Sequence, residues 1–101
     1  GRTTMSTSSA DQSRYGFIGM IVSNRQDHGA RINQILSTHA SVILGRLGMP
    51  NLQEGEIAII TLIVKATPDE MGALTGKLGA LEGVSVKSSM HKAIPLVATA
   101  G

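Results

Sequence analysis

The sequence predicts a small α+β domain whose elements run strand, helix, strand, strand, helix, strand. Three observations carry that expectation. Tyr15–Ser23 (YGFIGMIVS) and Glu56–Ala66 are apolar on both alternating faces, the pattern of strands covered on both sides. Thr67–Ser88 (TPDEMGALTGKLGALEGVSVKS) reads as one complete helix-to-strand unit. Pro50-Asn51 and Glu54-Gly55 bracket a short polar loop, so the two apolar segments beside it return antiparallel.

In the first strand, Tyr15, Phe17 and Ile21 share one face, and Ile18, Met20 and Val22 share the other. Gly16 and Gly19 leave room for a neighbour to approach. Asn24 is a plausible helix cap, with Asp27 in the first turn where a negative charge is favoured. The helix is expected to reach about Thr38, with Ile32, Ile35, Leu36 and His39 on its buried side. Ser41–Leu47 reads as the second strand. In the third, Ile57, Ile59 and Ile63 oppose Ile60, Leu62 and Val64. Thr67 can then cap a helix, Pro68 suits its first turn, and Glu70 can close a capping box. Met71, Leu74, Leu78 and Leu81 recur at helical spacing, Gly83 is the expected stop, and Val84 and Val86 alternate in a last strand ending near Ser88.

A strand–helix–strand unit crosses over right-handed, which leaves a gap beside the first strand for the third to fill. The result is a ferredoxin-like βαββαβ sandwich: a four-stranded antiparallel sheet with both helices on one face. Residues 14–89 hold this domain. Residues 1–13 (GRTTMSTSSADQS) read as a disordered tail, with 1–4 an appended remnant ahead of Met5 as the natural start. Residues 90–101 form an apolar tail containing Pro95 that adds an edge strand or crosses to a neighbour.

Composition narrows the function classes. Hydrophobic residues make up 42% of the chain, yet Tyr15 and Phe17 are its only aromatics, too few for a platform that stacks nucleic-acid bases. The net charge of +2 comes from scattered Lys and Arg, so no direct nucleic-acid contact is expected. No apolar run approaches the ~20 residues of a membrane span, and no signal-peptide pattern opens the chain. The lack of cysteine removes disulfides, thiolate metal sites and cysteine nucleophiles, and fits a reducing compartment; the cytoplasm is the expected location.

With both helices on one face, the other sheet face is bare in a single copy. Apolar strands there predict self-association, most simply a two-fold dimer or else a higher even-numbered oligomer. Gly72, Gly76 and Gly79 share a flank of the second helix, each at a cost of about 1 kcal/mol relative to alanine. That flank reads as a close-packing surface for a neighbouring helix or chain, or as a path for a ligand.

Catalytic chemistry finds no constellation. His28 and His39 would stand about 16 Å apart along one helix, His91 lies in the tail, and no pair has metal-site spacing. His39 reads as a half-buried helix-end residue. Asp69 and Glu70 are first-turn helix residues, and Glu54 and Glu56 flank a turn. No catalytic residue, metal or cofactor is expected, and the chain does not read as an enzyme. Two places fit a small ligand. At the strand-to-helix turn Asn24, Arg25, Asp27, His28 and Gly29, free amides can hold an anion. In GRLGMP, Arg46 beside Gly48 offers a bidentate fork, either to a ligand at a subunit seam or to Glu54 or Glu56 in an ion pair.

The segments YGFIGMIV, NQIL, GRLGMP and DEMGALTGKLGALEGVSVKS resemble, in that order, the stand-alone iron-only hydrogenase system regulators. These belong to the ACT-like and nickel-regulator C-terminal-like group of ferredoxin folds. The resemblance covers about residues 14–89, with ALTGKLG and GRLGMP its most specific parts. Residues 27–32 also resemble the ACT loop, with His28 where ACT domains often carry Pro. The resemblance implies a cytoplasmic regulatory protein linked to a hydrogenase system, sensing a small molecule such as an amino acid across an oligomer interface. Nickel-regulator relatives bind metal through a His and Cys set that this chain does not have, and carry a DNA-binding domain that residues 1–13 are too short to hold. The alternatives are a ligand-free oligomerisation or protein-interaction module, and a transcription regulator acting through a partner.

Overall fold

The computed structural model describes residues 12–23 and 28–92. Along the chain come β1 (Arg14–Ser23), α1 (Gly29–Thr38), a 3-10 turn (Ala40–Val42), β2 (Ile43–Leu52), β3 (Ile57–Ala66), α2 (Pro68–Gly79) and β4 (Val84–Met90). The strands form one sheet in the order β2-β3-β1-β4, and every neighbouring pair is antiparallel. β3 therefore lies between β1 and β2, in the gap that the crossover through α1 leaves. This is the ferredoxin-like arrangement the sequence predicts.

Alternation in the two central strands sorts their side chains. Ile18, Met20 and Val22 of β1 and Leu62, Val64 and Ala66 of β3 are buried on the helix side. Against them pack Ile32, Ile35 and Leu36 from α1, and Met71, Leu74 and Leu78 from α2. Fully burying a side chain of this size stabilises the fold by roughly 1.5–3 kcal/mol. His39 is half-buried at the C-cap of α1.

Several boundaries differ from the sequence expectation. α1 begins at Gly29 with His28 at its N-cap, instead of with a cap at Asn24; Asn24, Arg25 and Asp27 lie outside the described residues. β2 starts two residues later than Ser41 because the 3-10 turn carries Val42 into the core. It also runs past Leu47, through Pro50, to Leu52. The sheet edge tolerates a proline, since no further strand requires its N–H. The register slips between Met49 and Leu52, where Asn51 has φ of 60°.

The β2–β3 turn is correspondingly tighter than a loop from Pro50. Gly55 N–H donates to the Leu52 carbonyl at 3.1 Å, and Glu56 N–H to the Gln53 carbonyl at 3.2 Å. Gln53 and Glu54 both take positive φ, 51° and 56°, which matches the twist of a two-residue hairpin turn. α2 ends at Gly79 rather than at Gly83. Leu81 has left the helix but still packs on the core, and Gly83, with φ of 85°, turns the chain into β4. The Gly83 carbonyl then accepts the Ser23 N–H at 2.8 Å. β4 extends past Ser88 to Met90, and the pairing continues as His91 N–H donates to the Tyr15 carbonyl at 2.8 Å.

The start of α2 is built as its residues imply. Thr67 Oγ1 accepts from the Glu70 N–H at 3.1 Å, and Glu70 Oε1 accepts from the Thr67 N–H at 2.8 Å. Thr67→Ala removes half of this reciprocal pair and should cost about 0.5–2 kcal/mol in urea unfolding. Gly16 is fixed by a different constraint, because a Cβ there would lie 2.5 Å from the Ser89 carbonyl oxygen and 3.0 Å from Met71 Cε. The carbonyl belongs to the paired β4 backbone and cannot swing aside. Gly16→Ala should therefore destabilise the fold by about 1–3 kcal/mol, read as a lower urea midpoint with an unchanged slope.

Candidate functional site

The sheet face away from the helices is a continuous apolar surface. Met49, Ile59 and Ile21 form one cross-strand row that ends at Ser85 on β4. Leu47, Thr61 and Gly19 form the next, ending at Lys87. Ile63 and Phe17 stand in the third, between Gly45 and Ser89. Leu47 is 68% exposed, Phe17 54% and Ile63 48%. Below them Lys65 Nζ lies 5.3 Å from the ring centroid of its cross-strand partner Tyr15, within cation–π range. The face is thus greasy across β2, β3 and β1 and polar along β4. Gly19 leaves a dip in the middle of it, with nothing within 4 Å of where its Cβ would be.

A second feature lies on the helix side of the β2 edge. Arg46 Nη1 donates to Asn33 Oδ1 of α1 at 3.3 Å, instead of pairing with Glu54 or Glu56. The two residues rim an open cleft of about 390 Å³ lined also by Leu36, Ser37, Ala40 and Ile43. Its floor is apolar, with a guanidinium, an amide and a hydroxyl at the rim. Gly48 is two positions further along β2, opposite Ile60, and has open space where a Cβ would stand.

The remaining candidates are separated by the fold. His28 Nε2 bonds the Glu82 carbonyl, tying the start of α1 to the turn before β4, while Arg46 is held on Asn33 further along α1. The structure therefore does not join the His28–Gly29 end and the Arg46–Gly48 segment into one site. His39 Nε2 lies 3.1 Å from Lys77 Nζ; the ammonium can only donate, so the ring nitrogen accepts. This contact links the end of α1 to the last turn of α2, and sequence spacing gave no sign of it. Among the described residues, no three His, Asp or Glu side chains gather closely enough to hold a metal ion. Gly72, Gly76 and Gly79 are exposed, and nothing lies within 4 Å of where their Cβ atoms would be. Among the described residues nothing packs against that flank.

A model of the TM1266-like family, proposed regulators of the iron-only hydrogenase system, matches residues 14–88. The chain belongs to this family. The solved structure of the uncharacterized protein TM1266 from Thermotoga maritima is similar at 36% identity, with a TM-score of 0.73 over 79% of this chain and 99% of that one. More distant likenesses include CPII, a nitrogen regulatory PII-like protein from Thiomonas intermedia K12 solved with ADP, AMP and bicarbonate. It is 18% identical, with a TM-score of 0.46 over 77% of this chain and 92% of that one. The regulatory subunit of aspartate kinase from Thermus flavus is 19% identical, with a TM-score of 0.47 over 75% of this chain and 51% of that one. No curated protein matches the chain.

The open glycine flank yields a direct test. Gly72→Ala and Gly76→Ala meet no neighbour among the described residues, so each should raise stability by about 0.5–1 kcal/mol through helix propensity. A loss of stability that grows with protein concentration would show instead that another copy packs there.

Proposed function

We propose that this family member is a non-catalytic regulatory module that works as a homo-oligomer through its open sheet face and senses a small ligand. The observation that carries this reading is the bare apolar face built from β2, β3 and β1. Each half-exposed Phe, Ile or Leu there would release roughly 1 kcal/mol on full burial, which makes a water-exposed life for the whole face unfavourable. Face-to-face packing of two copies fits better than edge pairing. The β2 edge is broken by register shifts between Ile43 and Gly45 and between Met49 and Leu52, with Pro50 in the second, and the β4 edge carries Lys87; such features guard edges against further strands.

The ligand position that the geometry favours is the cleft at Arg46. A guanidinium held by Asn33 above an apolar floor suits a small molecule with a carboxylate at one end and a carbon skeleton at the other, an amino acid among them. The strand-to-helix turn, of which His28 and Gly29 are described, is a second ligand position in the same reading. A link to an iron-only hydrogenase system and a cytoplasmic setting rest on the family. No helix among the described residues is long and apolar enough to cross a membrane.

A thermal-shift panel of amino acids, small carboxylates and nucleotides tests the ligand. At one hundred times its Kd, a true ligand adds about 2.7 kcal/mol to the folded state, and Arg46→Gln should abolish the shift with the fold intact. If no compound shifts the transition, the sensing role falls and a ligand-free interaction module remains. The seam has its own test: Ile63→Asp should give a folded protein of single-copy mass by light scattering, because Ile63 is half exposed in one chain and a charge there opposes its burial by a second.

A further inference from the structure

Large side chains and glycines are distributed over the open face in a way that one symmetry satisfies. In the central row Leu47 on β2 stands two strands from Gly19 on β1, with Thr61 between them. In the next row Phe17 on β1 stands two strands from Gly45 on β2, with Ile63 between them. Each row thus sets a large, exposed side chain against a glycine across β3, and the sense reverses from one row to the next. Neither Gly19 nor Gly45 has anything within 4 Å of where its Cβ would stand, so both are dips. The apolar part of the face shares the same centre: β2 and β1 flank β3, and polar β4 lies outside them.

We propose that two copies pack face to face about a two-fold axis that lies between their sheets and runs along β3. This rests on the self-association proposed above and gives it a register. Such an axis carries β2 of one copy over β1 of the other. Leu47 then enters the dip at Gly19 of the second copy, and Phe17 enters the dip at its Gly45. Thr61 and Ile63 meet their own equivalents. An axis across the strands through the central row would instead set Gly19 over Gly19 and Leu47 over Leu47, a void beside a clash. Aligned sheets cross at about 30°, and the central row lies nearest the crossing point, where register is kept. The three strands, of 10 residues each, cover about 14 by 33 Å in projection. Side-chain relief brings that toward the ~800 Å² per partner of a stable interface. Ser85, Lys87 and Ser89 of β4 stay on the solvent rim. Lys65, at the end of β3, is drawn over the Tyr15 ring and off the axis.

An exchange of sizes tests the register in the full-length chain. Gly19→Leu fills the dip and should raise the dimer dissociation constant roughly tenfold or more in sedimentation equilibrium, with an unchanged circular-dichroism spectrum. Adding Leu47→Ala makes room on the facing copy and should return the constant to within about threefold of the unaltered chain, the coupling expected of residues in contact. A Gly19→Leu dimer as tight as the unaltered one overturns this axis and leaves self-association standing. So does a double variant no tighter than Gly19→Leu alone. An unaltered chain of single-copy mass at every concentration overturns both, and some other occupant then covers the face. A second measurement avoids the seam. The chain has no cysteine, so Lys87→Cys carries a single spin label on the rim of each copy. The axis along β3 places the two labelled backbones about 22 Å apart, whereas an axis across the strands stacks them about 10 Å apart. Dipolar spectroscopy that returns the shorter separation overturns the proposal.

Discussion

A four-stranded sheet with both helices on one side can bury only half of itself. That constraint governs the rest of this molecule. The helix side is closed by Ile32, Ile35 and Leu36 from α1 and by Met71, Leu74 and Leu78 from α2, all packed on β1 and β3. The far side carries side chains of similar chemistry with nothing above them among the described residues. A half-solvated antiparallel sheet normally alternates apolar with polar residues. β4 obeys that rule with Ser85, Lys87 and Ser89, while β1 and β3 break it with Phe17, Ile21, Ile59 and Ile63. The exception is confined to the centre and the β2 side, which gives the surface a direction and a boundary.

Much of this architecture was legible in the letters. Period-two alternation sorted the faces of β1 and β3 residue by residue, because burial on each face depends only on parity along a strand. The Thr67–Glu70 box was legible because its chemistry is local. What the letters hid were features that depend on distant partners. Pro50 reads as a break, yet an edge strand accepts it, and edge status is a property of the assembled sheet. Gly83 reads as a helix stop, yet α2 ends at Gly79 and Gly83 serves the turn that meets Ser23 across the sheet end. Gly16 and Gly19 looked equivalent, but only Gly16 has a backbone carbonyl in its way.

The candidate ligand positions were less legible. Arg46 stood out as a cation in an apolar strand, but its partner Asn33 could be found only once α1 was laid across the sheet. The same holds for Lys77 on His39 and for His28 on the Glu82 carbonyl. Each of these contacts joins elements far apart in sequence, and none has a spacing signature. Family membership supplies the regulatory frame; the cleft at Arg46 and the bare face are where this chain's own residues could give it effect.

The most direct test is the molar mass of the unaltered chain by sedimentation equilibrium, followed from low micromolar to several hundred micromolar. One chain weighs 10.5 kDa. A closed assembly of two or another even number of copies, holding constant mass over the upper part of that range, is the predicted result. A soluble species of single-chain mass at every concentration would contradict it, since the apolar face would then be stable in water without a second copy.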